Sequence, residues 1–143
     1  MHVLDQEAEG LANRLRSLTL EERRRVLAKS CLLACETIFA LEPAVLDLLN
    51  SISVENAISQ NQIVWATSLA HAADEEYITL RERGASEAEW LNSFAKARLL
   101  TAIAGGFSGN LWTDTADAIY ELCKTRDDPS SIINLVESEI GNA

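Results

Sequence analysis

The chain has 143 residues, of which 48% are hydrophobic and 24% charged, and its 12 basic and 22 acidic side chains give a formal net charge of −10. This composition suits one folded domain with a substantial core and excludes a chain that is disordered throughout. The acidic balance argues against nucleic acids and anionic membranes as ligands, because both are bound by basic surfaces.

Apolar residues recur at intervals of three and four along the chain, which predicts helices rather than strands. The first helix is predicted over residues 3–16. Thr19 and Glu22 have the spacing of a capping box, so a second helix should run from residue 20 to about residue 41. The basic run at residues 23–25 falls within this helix and is expected on its solvated surface.

The third and fourth helices are predicted from residues that suit helix starts. Pro43 fits the first turn of a short helix that ends near residue 49. Ser53 can cap a long helix over residues 54–83, and Gly84 can then end it.

Three further helices are predicted in the second half of the chain. Ser86 and Glu89 repeat the capping-box spacing and mark the start of the fifth helix. This helix should end at three closely spaced glycines: Gly105, Gly106 and Gly109. Thr113 can cap a sixth helix, and Asp128 with Pro129 suits the cap and first position of the last one.

These elements predict an all-α fold, a single compact bundle or orthogonal array of six to seven helices without a sheet, with residues 1–143 as one domain. No apolar run approaches the roughly 20 residues that span a bilayer. The first ten residues lack the basic start of a signal peptide. Three cysteines are an odd number, so we expect reduced thiols and a cytoplasmic protein. Because the chain is acidic and has no long apolar run, we also expect that it does not bind membranes.

The acidic side chains are concentrated in the middle of the chain. Residues 30–80 contain no Lys or Arg, and a surface of one sign steers a partner of the opposite sign, although solubility alone is a competing explanation. Core packing is the default expectation for each of the three tryptophans, and Trp112, which follows Gly109, is expected to be the most exposed. We therefore predict a partner-binding surface formed by six acids and one tryptophan: Glu42, Asp47, Glu55, Asp74, Glu75, Glu76 and Trp112.

Two clusters are candidates for metal binding or catalysis. Cys31 and Cys35 share a helix face, but a closed zinc site needs four ligands and no others follow at a recognised spacing, so both are expected to pack in the core. His71 precedes Asp74 and Glu75 by three and four residues, yet the paired Glu-x-x-His motifs of a di-iron bundle are missing. We expect no catalytic residue, metal or cofactor.

The sequence thus favours a non-enzymatic protein-binding module whose acidic helical surface binds a basic partner protein. In size, charge and helical content it is similar to bacterial immunity proteins and antitoxins, which occlude cationic toxins. Two alternatives remain open. One is a small-molecule-binding or enzymatic domain with a pocket near His71, which an exposed His71 would disfavour. The other is a structural subunit that self-associates through an exposed apolar face.

Overall fold

A computed structural model describes residues 2–142, and this part of the chain is helical with no strand. The prediction of an all-α fold with six to seven helices is therefore confirmed. A short 3₁₀ helix precedes seven α-helices in the described residues: Val3–Gln6, then α1 (Leu11–Arg16), α2 (Leu20–Cys35), α3 (Pro43–Glu55), α4 (Gln60–Glu82), α5 (Glu87–Ser108), α6 (Trp112–Cys123) and α7 (Ser130–Gly141).

Local side-chain bonds set several helix ends as the sequence predicts. The Thr19 hydroxyl accepts the Glu22 backbone N–H, and the Glu22 carboxylate accepts the Thr19 N–H, which completes the capping box of α2. Ser86 caps α5 by accepting the Glu89 N–H. After α4 the chain turns at Gly84, whose φ of +71° favours glycine.

The first two helices are shorter than predicted. Gly10 has a φ of +77°, so residues 3–16 form a 3₁₀ helix and a separate α1 instead of one helix. The second helix ends at Cys35 rather than near residue 41. Beyond it, Ala40 is left-handed and Glu42 is extended, the conformation favoured before Pro43, so helical backbone cannot continue into α3.

The predicted boundary between the third and fourth helices is also wrong. Ser53 lies inside α3, which continues to Glu55 and ends where Asn56 adopts a φ of +53°. The cap of α4 is Ser59, whose hydroxyl accepts the Gln62 N–H while the Gln62 side chain accepts the Ser59 N–H. The same capping-box spacing is present in the sequence at Ser59, so this signal was available.

The core lies where α2, α5 and α6 meet. Large apolar side chains from the three helices fill it: Leu27, Leu99, Leu100, Ile103, Ile119 and Leu122. The four-residue turn after α4 folds α4 and α5 into a long antiparallel hairpin, and α4 buries only Ala66, Ala70 and Ala73 on it. As a result α4 is a peripheral helix with one face against α5.

One charged side chain of α2 is buried, contrary to the expectation of a solvated basic run. Arg23 is buried at the start of α2, while Arg24 and Arg25 are partly exposed. Within residues 2–142, no helix combines the length and apolar content needed to cross a membrane.

Candidate protein-binding surface

An open groove with a volume of about 410 Å³ separates α3 from α4. Ala44 and Asp47 line it from α3, and Trp65, Ser68 and Leu69 line it from α4. Helix α4 packs mainly against α5, whereas α3 makes few contacts with either α2 or α4, so the space between α3 and α4 stays open. We call this feature the α3–α4 groove.

Trp65 is the largest side chain that lines the groove. The prediction that it packs in the core is wrong, because it is 51% exposed. The buried stripe of α4 begins at Ala66. Adjacent residues of an α-helix point about 100° apart, so Trp65, which precedes Ala66, is turned toward solvent. A large, rigid aromatic side chain that stays exposed is a natural anchor for a partner.

Trp112, the tryptophan expected to be most exposed, is half-buried and packs against the core. The guanidinium of Arg16 lies over its ring, 5.8 Å from Cζ to the ring centroid, and the His2 ring is 6.2 Å away. Trp65 thus offers a partner more surface than Trp112 does.

The predicted acids are divided between paired and unpaired residues. Lys96 Nζ lies 2.7 Å from a Glu42 oxygen and 3.4 Å from a Glu76 oxygen, and Arg98 Nη2 lies 3.1 Å from Asp74. Helix α5 therefore supplies the cations that residues 30–80 lack. Three of the six acids belong to ion pairs that hold α3 and α4 on α5.

The other three acids are Asp47, Glu55 and Glu75, and none of them forms an ion pair within residues 2–142. All three are exposed. Asp47 lines the groove beside Trp65, while Glu55 borders a different hollow near Arg24. The groove thus joins one unpaired carboxylate to one exposed tryptophan.

Lys96 fixes one wall of the groove. Burial favours a lower pKa for Lys96, but its hydrogen bond to Glu42 and the charges of Glu42 and Glu76 together raise that pKa. Burial also favours a higher pKa for Glu42, but the hydrogen bond from Lys96, a backbone hydrogen bond and the charge of Lys96 together lower that pKa. Both groups are therefore charged at neutral pH. Because Glu42 is the N-cap of α3, the pair fastens the start of α3 to α5.

The candidate residues for catalysis or metal binding do not form a common site. His71 is exposed on α4 and lines neither the groove nor the other described hollows, which counts against a pocket around it. Cys31 is buried, and burial raises its thiol pKa. Cys35 is partly buried and donates to the Leu32 carbonyl. In the described part of the chain, no three His, Cys, Asp or Glu side chains are grouped to hold a metal ion.

Phe39 forms a second exposed apolar feature, which the sequence does not predict. Phe39 follows α2, and the Asn92 side chain accepts its backbone N–H and donates to its carbonyl. Its ring is 56% exposed and lines a hollow of about 290 Å³ with Leu91 and Arg126. No single-residue signal distinguishes this exposed phenylalanine from a core one, because the tertiary bonds to Asn92 hold it there.

Comparison of the chain with protein-family models, curated proteins and solved structures found no significant match.

Proposed function

We propose that the chain is a non-enzymatic protein-binding module that recognises a basic partner protein through the α3–α4 groove. The observation that carries the proposal is the pairing in that groove of the exposed Trp65 with Asp47, which has no ion-pair partner within residues 2–142. Aromatic anchors supply most of the energy at protein interfaces, and charges around them supply selectivity.

The charge distribution supports a basic partner. The chain carries a net charge of −10, and neither α3 nor α4 contains Lys or Arg before Arg81. A field of one sign raises the association rate of an oppositely charged protein and acts over about 8–10 Å at moderate salt. An immunity-type inhibitor that occludes a cationic surface, acting in the cytoplasm, fits this charge and the three free thiols.

The two alternative functions have weaker support. An enzymatic pocket near His71 is disfavoured by the exposure of that side chain. Self-association has apolar surface available, since α3 and α4 expose several large side chains: Leu46, Val54, Val64, Trp65 and Ile78. However, two copies would each bring the same negative field, which opposes their association.

The test is affinity capture from the native host at low salt, followed by kinetics with the captured partner. We expect Asp47→Lys combined with Glu75→Lys to slow association at least tenfold, and the wild-type rate to fall steeply as salt is added. These residues are preferred to Asp74 and Glu76, because reversing either of those also breaks an ion pair with α5.

A matched control changes net charge by the same amount elsewhere. Glu9→Lys with Asp127→Lys replaces two exposed acids that lie outside α3 and α4 and form no ion pair within residues 2–142. Equal slowing by both double variants would show that only total charge matters. Unchanged association of the Asp47 and Glu75 variant would refute the proposed surface.

A further inference from the structure

The backbone of the groove restricts the kind of segment that can occupy it. Both walls are α-helices, α3 with 13 residues and α4 with 23, and their backbone groups are bonded within each helix. No strand edge is present in residues 2–142 to pair with an extended peptide. The walls therefore offer an occupant no backbone partners, which favours a helix, because a helix satisfies its own backbone hydrogen bonds.

The side chains of the groove define which face of that helix is bound. Ala44, Leu69 and Trp65 form an apolar surface, so the face that enters the groove must be apolar. Such a face at the spacing of three and four residues is the usual mode of binding between two helices. One large apolar side chain placed against Trp65 would act as the anchor.

Charge decides what flanks the apolar face. Asp47 lies at the wall of the groove without an ion pair in residues 2–142, and Lys96, which binds Glu42 at the start of α3, is buried between two carboxylates. A Lys or Arg of the occupant can therefore bind Asp47 without competing with a cation of this chain. A second copy of this chain is a poor occupant, because its own net charge is −10.

We infer that the α3–α4 groove binds an amphipathic helix of the partner protein, with a large apolar side chain against Trp65 and a Lys or Arg paired with Asp47. This inference rests on the proposed function and adds the form and chemistry of the bound segment.

The experiment is a selection from a displayed library of helical peptides in which the scaffold is constant and the surface positions are random. The intact wild-type chain is the bait, so no natural partner is needed. We expect the enriched peptides to carry an apolar stripe with flanking Lys or Arg. Their affinity should fall at least tenfold for Trp65→Ala and for Asp47→Lys.

Matched controls separate the groove from the remaining surface. Ile78 is 52% exposed, as much as Trp65, but lies thirteen residues further along α4, about 20 Å away and on nearly the opposite face. We expect Ile78→Ala and Glu82→Lys to bind the selected peptides as the wild type does.

The outcomes distinguish this inference from the proposed function. Basic peptides that bind Trp65→Ala and Asp47→Lys unchanged would overturn the groove as the helix site while leaving a basic partner in place. Enriched peptides without excess Lys or Arg would contradict both proposals. A library without any binder to the wild type, or a wild-type dimer that Trp65→Ala dissociates, would overturn the inference of a partner helix.

Discussion

Arg23 Nη2 donates a hydrogen bond of 3.0 Å to the backbone carbonyl of Asn110, 87 residues away in the chain. Its Nη1 donates to the Leu18 carbonyl over 2.6 Å. The guanidinium thus joins the turn before α2 to the corner between α5 and α6, and both bonds are made by a buried side chain. The charge is balanced by carbonyl dipoles rather than by a carboxylate.

We predict that Arg23→Met lowers the free energy of unfolding by about 1–3 kcal/mol, because two carbonyls lose a charged donor. The control is Arg25→Met on the same helix, where we expect about 0.5 kcal/mol or less. Urea titration measures both. Similar losses for the two variants would mean that the bonds of Arg23 contribute little beyond the packing of its stem.

The ion pair of Glu42 with Lys96 should make stability depend on pH. Because the folded-state pKa of Glu42 lies below 4.5, its carboxylate stabilises the fold above that pH, and the contribution is lost as pH falls through the lowered pKa. We predict that Glu42→Gln costs about 1–2 kcal/mol at pH 7, since Lys96 is buried while the half-exposed carboxylate is screened.

Denaturant titrations between pH 7 and pH 3 test this prediction. The gap between wild type and Glu42→Gln should narrow as the pH falls below about 4. Glu76→Gln is the control, and we expect it to cost less than about 1 kcal/mol, because its oxygen lies 3.4 Å from Lys96 Nζ instead of 2.7 Å. A gap that stays constant down to pH 3 would contradict the assigned role of Glu42.

Two adjacent glycines of α5 should respond in opposite directions to the same substitution. A Cβ on Gly106 would overlap the Leu27 side chain and lie 2.8 Å from Ala118 Cβ, so this glycine allows α5 to approach α2 and α6. A Cβ on Gly105 would meet nothing within 4 Å.

We predict that Gly106→Ala destabilises the fold by about 1–3 kcal/mol through overpacking. Gly105→Ala should stabilise it by up to about 1 kcal/mol, because alanine favours the helix over the unfolded chain. Thermal unfolding of the two variants side by side gives the sign of each effect. Changes of the same sign would show that helix propensity, and not the close approach, dominates at both positions.

Ile38 and Phe39 are neighbours in the chain with opposite environments. Ile38 is 7% exposed and belongs to the core, although α2 ends before it, whereas Phe39 is 56% exposed. We predict a loss of about 2–4 kcal/mol for Ile38→Ala and about 0.5 kcal/mol or less for Phe39→Ala, measured by urea titration. An equal loss would place the Phe39 ring energetically within the core.

Much of this fold follows from the sequence because the signals are local. Apolar spacing predicts helices wherever one side of a segment must be buried. The caps at Thr19 and Ser86 and the turn at Gly84 depend on residues no more than a few positions apart, so their chemistry can be read directly. The same signal is present at Ser59 and Gln62, but Ser53, earlier in the chain, is also a residue type that suits a helix cap.

The tertiary structure decided which side chains remain available. The sequence concentrates acids in residues 30–80, but Lys96 and Arg98 arrive from α5 and bind three of them. Trp65 lies beside the buried apolar stripe of α4, and it stays 51% exposed because α4 packs mainly on α5.

Arg23 is buried for a similar reason, since carbonyls from distant segments converge on it. Charge and hydrophobicity are properties of single residues and are visible in the sequence. Exposure and pairing depend on what the rest of the chain brings to the same place, and only the folded arrangement of the helices determines that.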